Sequence, residues 1–325
     1  MHRIVITGGA GFIGSHVLDH FCSEFPDAQI VILDKMTYAA DFRNVSSLVS
    51  AGRVELIVGD ICDFDLCAKV VNKTDLVVHT AAESHVDNSF GNSLRFTTTN
   101  TLGTHTLMEA CRLAKVPRIV HISTDEVYGE VIDGSRTEGD PLNPTNPYSA
   151  SKAAAEMIIA GYRRSFGLPV IQVRANNIFG IRQYPEKLIP KFTVLLLHGQ
   201  KIPIHGDGGH RRHYLSAQDF AAGLAILARK GETGLTYNIG SDEELANVDV
   251  ATKLCELLGK DIAKVAEFIA DRPFNDRRYS ISSDRIKELG WRTKRRLFDE
   301  LPALVDWYRE NLGRYKAFTP DELVA

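Results

Sequence analysis

The chain has 325 residues, of which 44% are hydrophobic and 24% charged, and its formal net charge is −3. These values are ordinary for a globular protein with room for two domains, or for one domain and a smaller lobe. Basic pairs such as Arg163-Arg164 and Arg211-Arg212 are short and scattered. Composition therefore argues against nucleic acid or a membrane as the main partner.

The apolar run within Met1–Thr7 is too short for a signal peptide. No stretch reaches the ~20 apolar residues of a membrane span. The five cysteines form no C-x-x-C pair and no cluster with histidine at zinc-ligand spacing. We therefore expect reduced thiols, no metal site and a cytoplasmic protein.

Short β-branched runs alternate with helical patterns in the first half of the chain. The helical patterns include a first helix after the opening strand and a long helix at Asn92–Ala114. This alternation predicts an α/β protein with a Rossmann-type doubly wound parallel sheet, covered by helices on both faces. The predicted strands are His2–Thr7, Gln29–Leu33, Val54–Val58, Leu76–Thr80, Arg118–Ser123 and Pro169–Arg174.

The pattern loosens after Arg174, where prolines and glycine turns become frequent. Leu235–Ile239 has the composition of a returning strand, and Asp284–Leu289 and Leu301–Leu312 have helical patterns. We predict a Rossmann domain over residues 1–178, with a returning segment near 215–245. A smaller C-terminal α/β substrate lobe is expected over residues 179–325.

A glycine-rich turn follows the first predicted strand and opens the first helix. Its glycines Gly8, Gly11 and Gly14 have the spacing G-x-x-G-x-x-G. Glycine lets the backbone approach a diphosphate closely, and the helix N-terminus offers N–H groups and a partial positive charge. The strand–turn–helix context predicts dinucleotide binding.

Asp34 lies 20 residues beyond Gly14, at the end of the second strand. An acid there accepts hydrogen bonds from a ribose 2′-hydroxyl and repels a 2′-phosphate, which favours NAD over NADP. Lys35 and Arg43 are nearby cations that could host such a phosphate. Asp60, after the third strand, either reaches the adenine together with Ile61 or caps the next helix.

Tyr148 and Lys152 form a Tyr-x-x-x-Lys pair at positions i and i+4, so they share one face of a helix that we predict to run to about Phe166. Tyrosine is a poor base at neutral pH because its pKa is ~10. We expect the ammonium of Lys152 to lower the pKa of Tyr148. The lysine can also hold a nicotinamide ribose.

Thr124, Asp125 and Glu126 follow the fifth predicted strand, at the strand end where open α/β sheets bind ligands. Two neighbouring carboxylates can act as base and acid if their surroundings separate their pKa values. A hydride-transfer pair and an acid/base pair in one pocket predict an oxidation coupled to an elimination.

With these motifs the chain resembles the extended short-chain dehydrogenase/reductase family, and within it the nucleoside-diphosphate-glucose 4,6-dehydratases. The resemblance covers nearly the whole chain. It rests on the glycine turn and on Ala81–Asp87, Ser123–Gly129, Tyr148–Lys152, Arg174–Asn177, Pro185–Pro190, Tyr237–Gly240 and Asp271–Pro273.

The resemblance implies that Tyr148 removes the proton from the sugar C4 hydroxyl while NAD takes up hydride from C4. Thr124 would then bind the 4-ketone, Glu126 remove the C5 proton and Asp125 protonate the departing C6 hydroxyl. Hydride return to C6 would give the 4-keto-6-deoxy sugar and water. Lys152 would complete the catalytic set.

The same resemblance implies two sets of binding residues. The NAD set is Gly8, Gly11, Phe12, Ile13, Gly14, Asp34, Lys35, Thr37, Asp60, Ile61, Thr80, Ala81, Ala82, Glu83, Thr99, Tyr148, Lys152 and Asn177. The sugar-nucleotide set is Ser84, Thr124, Asn176, Lys187, Leu188, Arg212, Asn238 and Arg272. A homodimer through the helices near 92–114 and 148–166 is also implied.

The substrate implied is dTDP-glucose, with UDP-glucose as the alternative. His205, Phe274 and Asn275 depart from the family pattern in the part of the chain that faces the nucleotide. A sugar-nucleotide 4-epimerase is the main enzymatic rival, and a catalytically silent NAD-binding sensor is the rival outside enzymes. Asp125 and Glu126 argue against the epimerase, which needs no acid/base pair for elimination.

Overall fold

The computed structural model describes residues 1–271 and 276–315. No helix in these ranges is long and apolar enough to cross a bilayer. In chain order the helices and strands are β1 (Arg3–Thr7), α1 (Phe12–Glu24), β2 (Gln29–Asp34), α2 (Ser46–Ser50), β3 (Val54–Val58), α3 (Phe64–Val70), β4 (Leu76–His79), α4 (Val86–Gly91), α5 (Ser93–Phe96), α6 (Thr104–Leu113), β5 (Ile119–Thr124), α7 (Pro147–Phe166), β6 (Val170–Ala175), β7 (Asn177–Phe179), α8 (Leu188–Leu197), β8 (Ile202–His205), β9 (Arg211–Ser216), α9 (Ala217–Lys230), β10 (Thr236–Ile239), β11 (Glu244–Ala246), α10 (Asn247–Leu257), α11 (Ile262–Val265), β12 (Ala266–Ile269), α12 (Asp284–Glu288) and α13 (Leu297–Glu310).

Seven strands form one parallel sheet in the order β3-β2-β1-β4-β5-β6-β10. The six strands predicted in the first half are all present in it. β5 and β6 are buried along their whole length, including polar residues such as His121 and Gln172, as expected for central strands covered on both faces. The predicted doubly wound Rossmann-type fold is confirmed.

The seventh strand is the predicted returning strand. After β9 the chain enters α9, which packs against α1, and then β10 pairs in parallel with β6. The boundary predicted near residue 178 falls inside β7, which pairs with β9 in a separate three-stranded sheet. A second apolar core lies among α8, α10 and α13. The division at residue 178 stays a prediction.

The helix predicted at Asn92–Ala114 is an interrupted helix. It consists of α5, a π-helical segment at Thr97–Gly103 and α6. The wide π turn faces α7, where the Asn100 side chain donates to Ser151 Oγ at 2.9 Å. π segments often occur at functional sites. Sequence periodicity missed it because one added residue barely changes a helical pattern.

Helix α7 confirms the predicted Tyr148 helix and begins one residue earlier, at Pro147. Asn146 caps it, since its side chain accepts from Ser149 N and the Ser149 hydroxyl bonds back to the cap. Proline at the first helical position needs no backbone donor, and Gly167 ends the helix at φ 65°. The helix start that presents Tyr148 is therefore well defined.

A buried ion pair ties α7 to β6. Arg174 donates to both carboxylate oxygens of Glu156, the shortest contact being 2.6 Å. The two side chains are 7% and 1% exposed. Arg174 also donates to the Tyr128 hydroxyl at 2.6 Å and lies 4.6 Å from the centre of its ring. This network joins the helix of Tyr148 to the turn that carries Asp125 and Glu126.

We expect Glu156→Ala to lower the free energy of unfolding by about 3–5 kcal/mol, because it leaves the buried Arg174 guanidinium without its partner. Urea unfolding measures this. Glu256→Ala is the matched control, since the Lys253–Glu256 pair is exposed and such pairs contribute about 0–1 kcal/mol. Equal losses in the two variants would contradict the prediction.

Candidate active site

A cavity of about 410 Å³ runs along the carboxyl ends of the central strands, a size suited to a small-molecule ligand. The glycine turn lines one end, and residues of α8, β8 and β9 line the other. Between them lie Thr124, Glu126, Tyr148 and Lys152. The cavity therefore brings together most of the residues that the sequence singled out.

The three glycines of the turn differ in the contacts that a side chain would make there. A Cβ on Gly8 would meet Ala81 Cα at 2.7 Å, and one on Gly14 would meet Gly8 O at 2.0 Å. Gly11 lines the cavity, and a Cβ there would meet only Gly8 O, at an ordinary 3.4 Å. Packing within the described chain does not demand glycine at position 11, so the open space beside it fits a ligand that approaches the backbone closely.

The carboxylate of Asp34 is held at the end of β2. It accepts from Ala10 N at 2.9 Å and Met36 N at 2.8 Å. Burial raises the pKa of Asp34, and these two hydrogen bonds oppose the rise. The carboxylate is thereby fixed on the cavity wall, where a ribose would lie against it.

The two cations beside Asp34 are already paired. Lys35 Nζ lies 2.6 Å from Asp60, and the Arg43 guanidinium lies 2.6 Å from Asp41. Asp60 does not cap α3, because the N-cap of that helix is Asp63. Both pairings weaken the case for a 2′-phosphate at this end of the cavity, because each cation is partly neutralised.

The rest of the predicted cofactor set also faces the cavity. Glu83 is positioned by its backbone N–H, which donates to Asn100 at 2.8 Å, and by its ion pair with Arg95. The other lining members of that set are Phe12, Ile13, Thr37, Ile61, Thr80, Ala81, Ala82, Thr99 and Asn177.

Asp125 and Glu126 begin a 3₁₀ turn directly after β5. Asn176 Nδ2 donates to Asp125 at 2.8 Å, and Asn146 Nδ2 donates to Glu126 at 3.3 Å. Burial raises the pKa of Asp125 to about 7, helped by the Glu126 charge and opposed by the Asn176 hydrogen bond. Asp125 does not itself line the cavity; it lies behind Asn176, which does. A substantial fraction of Asp125 is therefore protonated at neutral pH.

The predicted lowering of the Tyr148 pKa by Lys152 is wrong. The pKa of Tyr148 is raised, first by burial and then by the Glu126 charge, although a hydrogen bond to Thr124 opposes the rise. Lys152 donates to Ile122 O at 2.7 Å, and burial lowers its pKa to about 8. The Lys152 ammonium therefore donates to a backbone carbonyl, and burial disfavours its charged form.

Of the predicted sugar-nucleotide residues, Ser84, Asn176, Lys187, Leu188 and Arg212 line the cavity along with Thr124. Lys187 Nζ donates to Ser84 O at 3.0 Å. Arg272 lies outside the described residues, as do Phe274 and Asn275.

Asn238 does not line the cavity, contrary to the prediction. Its side chain is fully buried, with the amide oxygen accepting from Tyr128 and the amide nitrogen donating to Arg136 O. The residue sits inside β10, where both polar atoms are taken up by protein partners. Its role in the described structure is to connect β10 to the Tyr128 turn.

The cavity-lining residues that sequence reasoning missed include Asn146, Asp276 and Tyr279. Asn146 carried a readable signal, since asparagine before Pro-Tyr is a typical helix cap. Its contact with Glu126, which lies 20 residues away in the chain, has no signal in the local sequence. Asp276 and Tyr279 lie in a stretch without regular periodicity, so no local pattern indicated them.

The chain matches the family described as GDP-mannose 4,6 dehydratase over residues 5–302. It is 45% identical to the Arabidopsis thaliana trifunctional UDP-glucose 4,6-dehydratase/UDP-4-keto-6-deoxy-D-glucose 3,5-epimerase/UDP-4-keto-L-rhamnose-reductase, over 95% of this chain and 47% of that protein. It is 40% identical to mouse dTDP-D-glucose 4,6-dehydratase, over 97% and 90%. The crystal structure of DesIV, a dTDP-glucose 4,6-dehydratase from Streptomyces venezuelae with NAD and TYD bound, has a TM-score of 0.94 and 40% identity, over 97% of this chain and 99% of that one.

The chain therefore belongs to the GDP-mannose 4,6-dehydratase family of extended short-chain dehydrogenases/reductases. The resemblance to nucleoside-diphosphate-sugar 4,6-dehydratases that its motifs indicated is confirmed. The chain spans about half the length of the Arabidopsis relatives that it matches.

The raised pKa of Asp125 predicts a pH-dependent cost to stability. The folded protein binds this proton more tightly than the unfolded chain, so the contribution of Asp125 to stability falls as pH rises from about 4 to about 7. A rise from 3.8 to about 7 corresponds to about 4 kcal/mol. We expect Asp125→Asn to unfold at higher urea than the native protein, with a larger gain at about pH 8 than at about pH 5.

The control for this prediction is Asp242→Asn, which removes a carboxylate whose side chain is 89% exposed. We expect no pH-dependent gain from it. A gain for Asp125→Asn that is the same at both pH values would show that the folded-state pKa is not raised.

Proposed function

We propose that this protein is an NAD-dependent nucleoside-diphosphate-glucose 4,6-dehydratase that converts dTDP-glucose to dTDP-4-keto-6-deoxyglucose and water. The observation that carries the proposal is that Tyr148, Lys152 and Glu126 line one cavity, with the carboxylate of Asp125 directly behind its wall, hydrogen-bonded to the lining residue Asn176. Asp125 is fully enclosed with a pKa of about 7, while Glu126 contacts the cavity directly. Tyr148 and Lys152 lie on the helix beside them.

NAD is held in this proposal by the glycine turn at its diphosphate, by Asp34 at its adenosine ribose and by Lys152 at its nicotinamide ribose. When bound it supplies a positively charged ring that takes a hydride from C4 of the sugar and later returns one to C6. The open space beside Gly11 fits the diphosphate of either dinucleotide, whereas the Asp34 carboxylate and the paired cations beside it support NAD over NADP. The DesIV structure contains bound NAD.

Tyr148 takes the proton of the C4 hydroxyl in this mechanism, and Thr124 donates a hydrogen bond to the oxygen that becomes a ketone. To accept this proton Tyr148 must be ionised, so the positive charges of Lys152 and of the nicotinamide ring would have to offset the burial and the Glu126 charge that raise its pKa. Lys152, one turn further along α7, adds positive charge on the same helix face. The ketone then acidifies the neighbouring C5 proton.

Glu126 removes the C5 proton and Asp125 delivers a proton to the C6 hydroxyl, which leaves as water. The two amides hold the carboxylates in these roles, since Asn146 donates to Glu126 and Asn176 to Asp125. Asp125 suits the acid role because burial keeps much of it protonated near neutral pH.

Neither of the two alternative functions, a 4-epimerase or an NAD-binding sensor, accounts for all features of the site. A 4-epimerase uses the Tyr/Lys pair but needs no buried acid beside a second carboxylate. A silent NAD-binding sensor needs neither. The enclosure of Asp125 is destabilising at neutral pH, and such a cost is typical of a residue retained for chemistry.

We propose dTDP-glucose over UDP-glucose because the DesIV and mouse proteins match along nearly their whole length, whereas the UDP-glucose relative matches over about half of its length. UDP-glucose stays the second candidate because that relative is 45% identical. His205, which departs from the family pattern, lines the cavity at the nucleotide-facing end.

Turnover of dTDP-glucose and UDP-glucose by the NAD-loaded protein tests the proposal, with the 4-keto-6-deoxy product identified by mass spectrometry. We expect kcat/KM to favour dTDP-glucose by up to ~10–200-fold, the discrimination available from one methyl group. A preference of ~10-fold or more for UDP-glucose would reverse the choice of base. Formation of the C4 epimer without loss of water would support the epimerase instead.

The division of roles predicts two different blocks in a single turnover. Tyr148→Phe should give no reduced nicotinamide, because the C4 proton has no acceptor. Glu126→Gln should let reduced nicotinamide form and persist, because the C5 proton stays in place. Each step should slow by ~10²–10⁴-fold, as followed by nicotinamide absorbance.

Tyr162→Phe is the control for these variants, since Tyr162 lies on the same helix and bonds to Glu109 and His105 outside the cavity. It should react as the native protein does. If Tyr148→Phe and Glu126→Gln both failed before any reduced nicotinamide formed, the assignment of Glu126 to the later step would be wrong.

We also propose that the protein is a cytoplasmic homodimer. The free cysteines agree with a reducing compartment. The helices from α5 to α7 leave large apolar side chains exposed, among them Leu94 at 79%, Leu102 at 51% and Met157 at 58%. A second copy of this helical face would cover them, since two adjacent helices from each copy make a four-helix contact.

We expect the double variant Leu102→Glu/Met157→Glu to sediment as a monomer at micromolar concentration while the native protein sediments as a dimer, because charges in an apolar contact are costly to bury. Ile132→Glu is the control, since Ile132 is 70% exposed in a loop away from these helices. A native protein that sediments as a monomer would refute the homodimer.

A further inference from the structure

Asp276 is a carboxylate on the cavity wall that the proposed chemistry does not use. It is 2% exposed. Its Oδ2 accepts from Thr145 Oγ1 at 2.6 Å and from the Tyr279 hydroxyl. Two hydroxyl donors from separate parts of the chain therefore hold this side chain in one orientation.

The other carboxylate oxygen, Oδ1, is buried and has no hydrogen-bond partner within residues 1–271 and 276–315. Leaving such an oxygen without a donor is costly, and buried polar atoms in native structures usually have partners. A carboxylate accepts hydrogen bonds and repels anions. A ligand in the cavity that satisfies Oδ1 must therefore present a donor such as a hydroxyl.

Arg212 contacts the backbone of the same residue, Asp276. Its Nη2 donates to Asp276 O at 2.9 Å, and its guanidinium lies 4.6 Å from the centre of the Tyr279 ring. A fixed cation next to a fixed acceptor matches a ligand whose phosphate neighbours a hydroxyl-bearing ring. A hexose attached to a diphosphate has this arrangement.

We propose that Asp276 binds a ring hydroxyl of the hexose at C2 or C3 and so determines specificity for a fully hydroxylated sugar. This inference rests on the proposed function, in which Tyr148 and Thr124 engage the oxygen at C4 and Asp125 the oxygen at C6. Those assignments leave the hydroxyls at C2 and C3 for Oδ1 of Asp276.

The same contacts link sugar recognition to the reacting groups. Thr145, which donates to Asp276, precedes Asn146, which caps α7 and donates to Glu126. A sugar anchored on Asp276 is thereby placed relative to the helix of Tyr148 and to Glu126. Loss of the anchor should therefore raise KM and also lower kcat.

A cycle of variants and substrates tests the proposal in the full-length, NAD-loaded protein. Native protein and Asp276→Asn are each given dTDP-glucose, dTDP-2-deoxyglucose and dTDP-3-deoxyglucose, with kcat/KM and calorimetric Kd as readouts. Asp276→Asn retains an oxygen for Thr145 and Tyr279 but loses the charged acceptor. We expect the native protein to disfavour one deoxy substrate by ~10–100-fold, the value of a hydrogen bond to a charged group, and the variant to lose that preference.

Two controls separate recognition from general damage. Asp242→Asn removes a distant exposed carboxylate and should keep the native preference. Thr145→Val removes one of the two donors to Oδ2, and it should reduce kcat/KM for all three sugars alike. The preference between glucose and deoxyglucose is a ratio within one variant, so partial unfolding does not move it.

The proposal is overturned if Asp276→Asn keeps the native ratio for both deoxy sugars, or if the losses from variant and deoxy substrate simply multiply. Turnover of dTDP-glucose together with either result would leave the proposed function standing. Binding without turnover, with the coupling seen in Kd, would refute the dehydratase and support the role of Asp276. Failure to bind any of the three sugars would refute both.

Discussion

The site depends on the in-register parallel pairing of β5 with β6. This pairing sets Thr124 opposite Ala175 at the carboxyl ends of the two strands. The next residues, Asp125 and Asn176, are thereby brought together, and their side chains meet at 2.8 Å. Because all strands of the sheet are parallel, the glycine turn after β1 and Asp34 at the end of β2 face the same edge. One constraint on strand direction thus collects the cofactor end and the chemical centre in one cavity.

Burial then differentiates groups that would be equivalent in water. Asp125 and Glu126 are adjacent in sequence, yet Asp125 is enclosed behind Asn176 while Glu126 lines the cavity. Burial disfavours the charged form of Lys152 and lowers its pKa to about 8, although its amine donates to a backbone carbonyl. Each shift disfavours the charged form in the folded state. The site therefore carries a cost in stability that the surrounding core must offset, as is usual for catalytic groups.

The second half of the chain completes the cavity through polar contacts with the first half. Tyr38 donates to Glu186 at 2.7 Å, and Lys187 donates to Ser84 O at 3.0 Å. At the opposite wall, Asp276 accepts from Thr145, beside the cap of α7. These contacts join segments separated by about a hundred residues or more. They fix the position of the sugar-facing wall relative to the cofactor-facing wall.

Features that depend on residues near one another in the chain could be predicted from the sequence. Strand β2 contains the continuous apolar run 30–33, Tyr148 and Lys152 share a face because they are four apart on a helix, and the glycine turn follows a strand. These features were enough to predict the sheet, the returning strand β10 and the reactive residues Tyr148, Lys152 and Glu126 on the cavity wall. They were also enough for the resemblance to sugar-nucleotide dehydratases, because its motifs are contiguous.

Properties that depend on burial and on partners distant in sequence follow from the folded chain. Asn238 belongs to a recognisable motif, but its neighbours in space occupy both of its polar atoms. The direction of the Tyr148 pKa follows from its enclosure and from Glu126 rather than from Lys152 on its own helix. Asp276 meets Thr145 across 131 residues. A hydrogen bond or a desolvation cost depends on the atoms that are nearest in the folded chain, and the local sequence pattern does not identify those atoms.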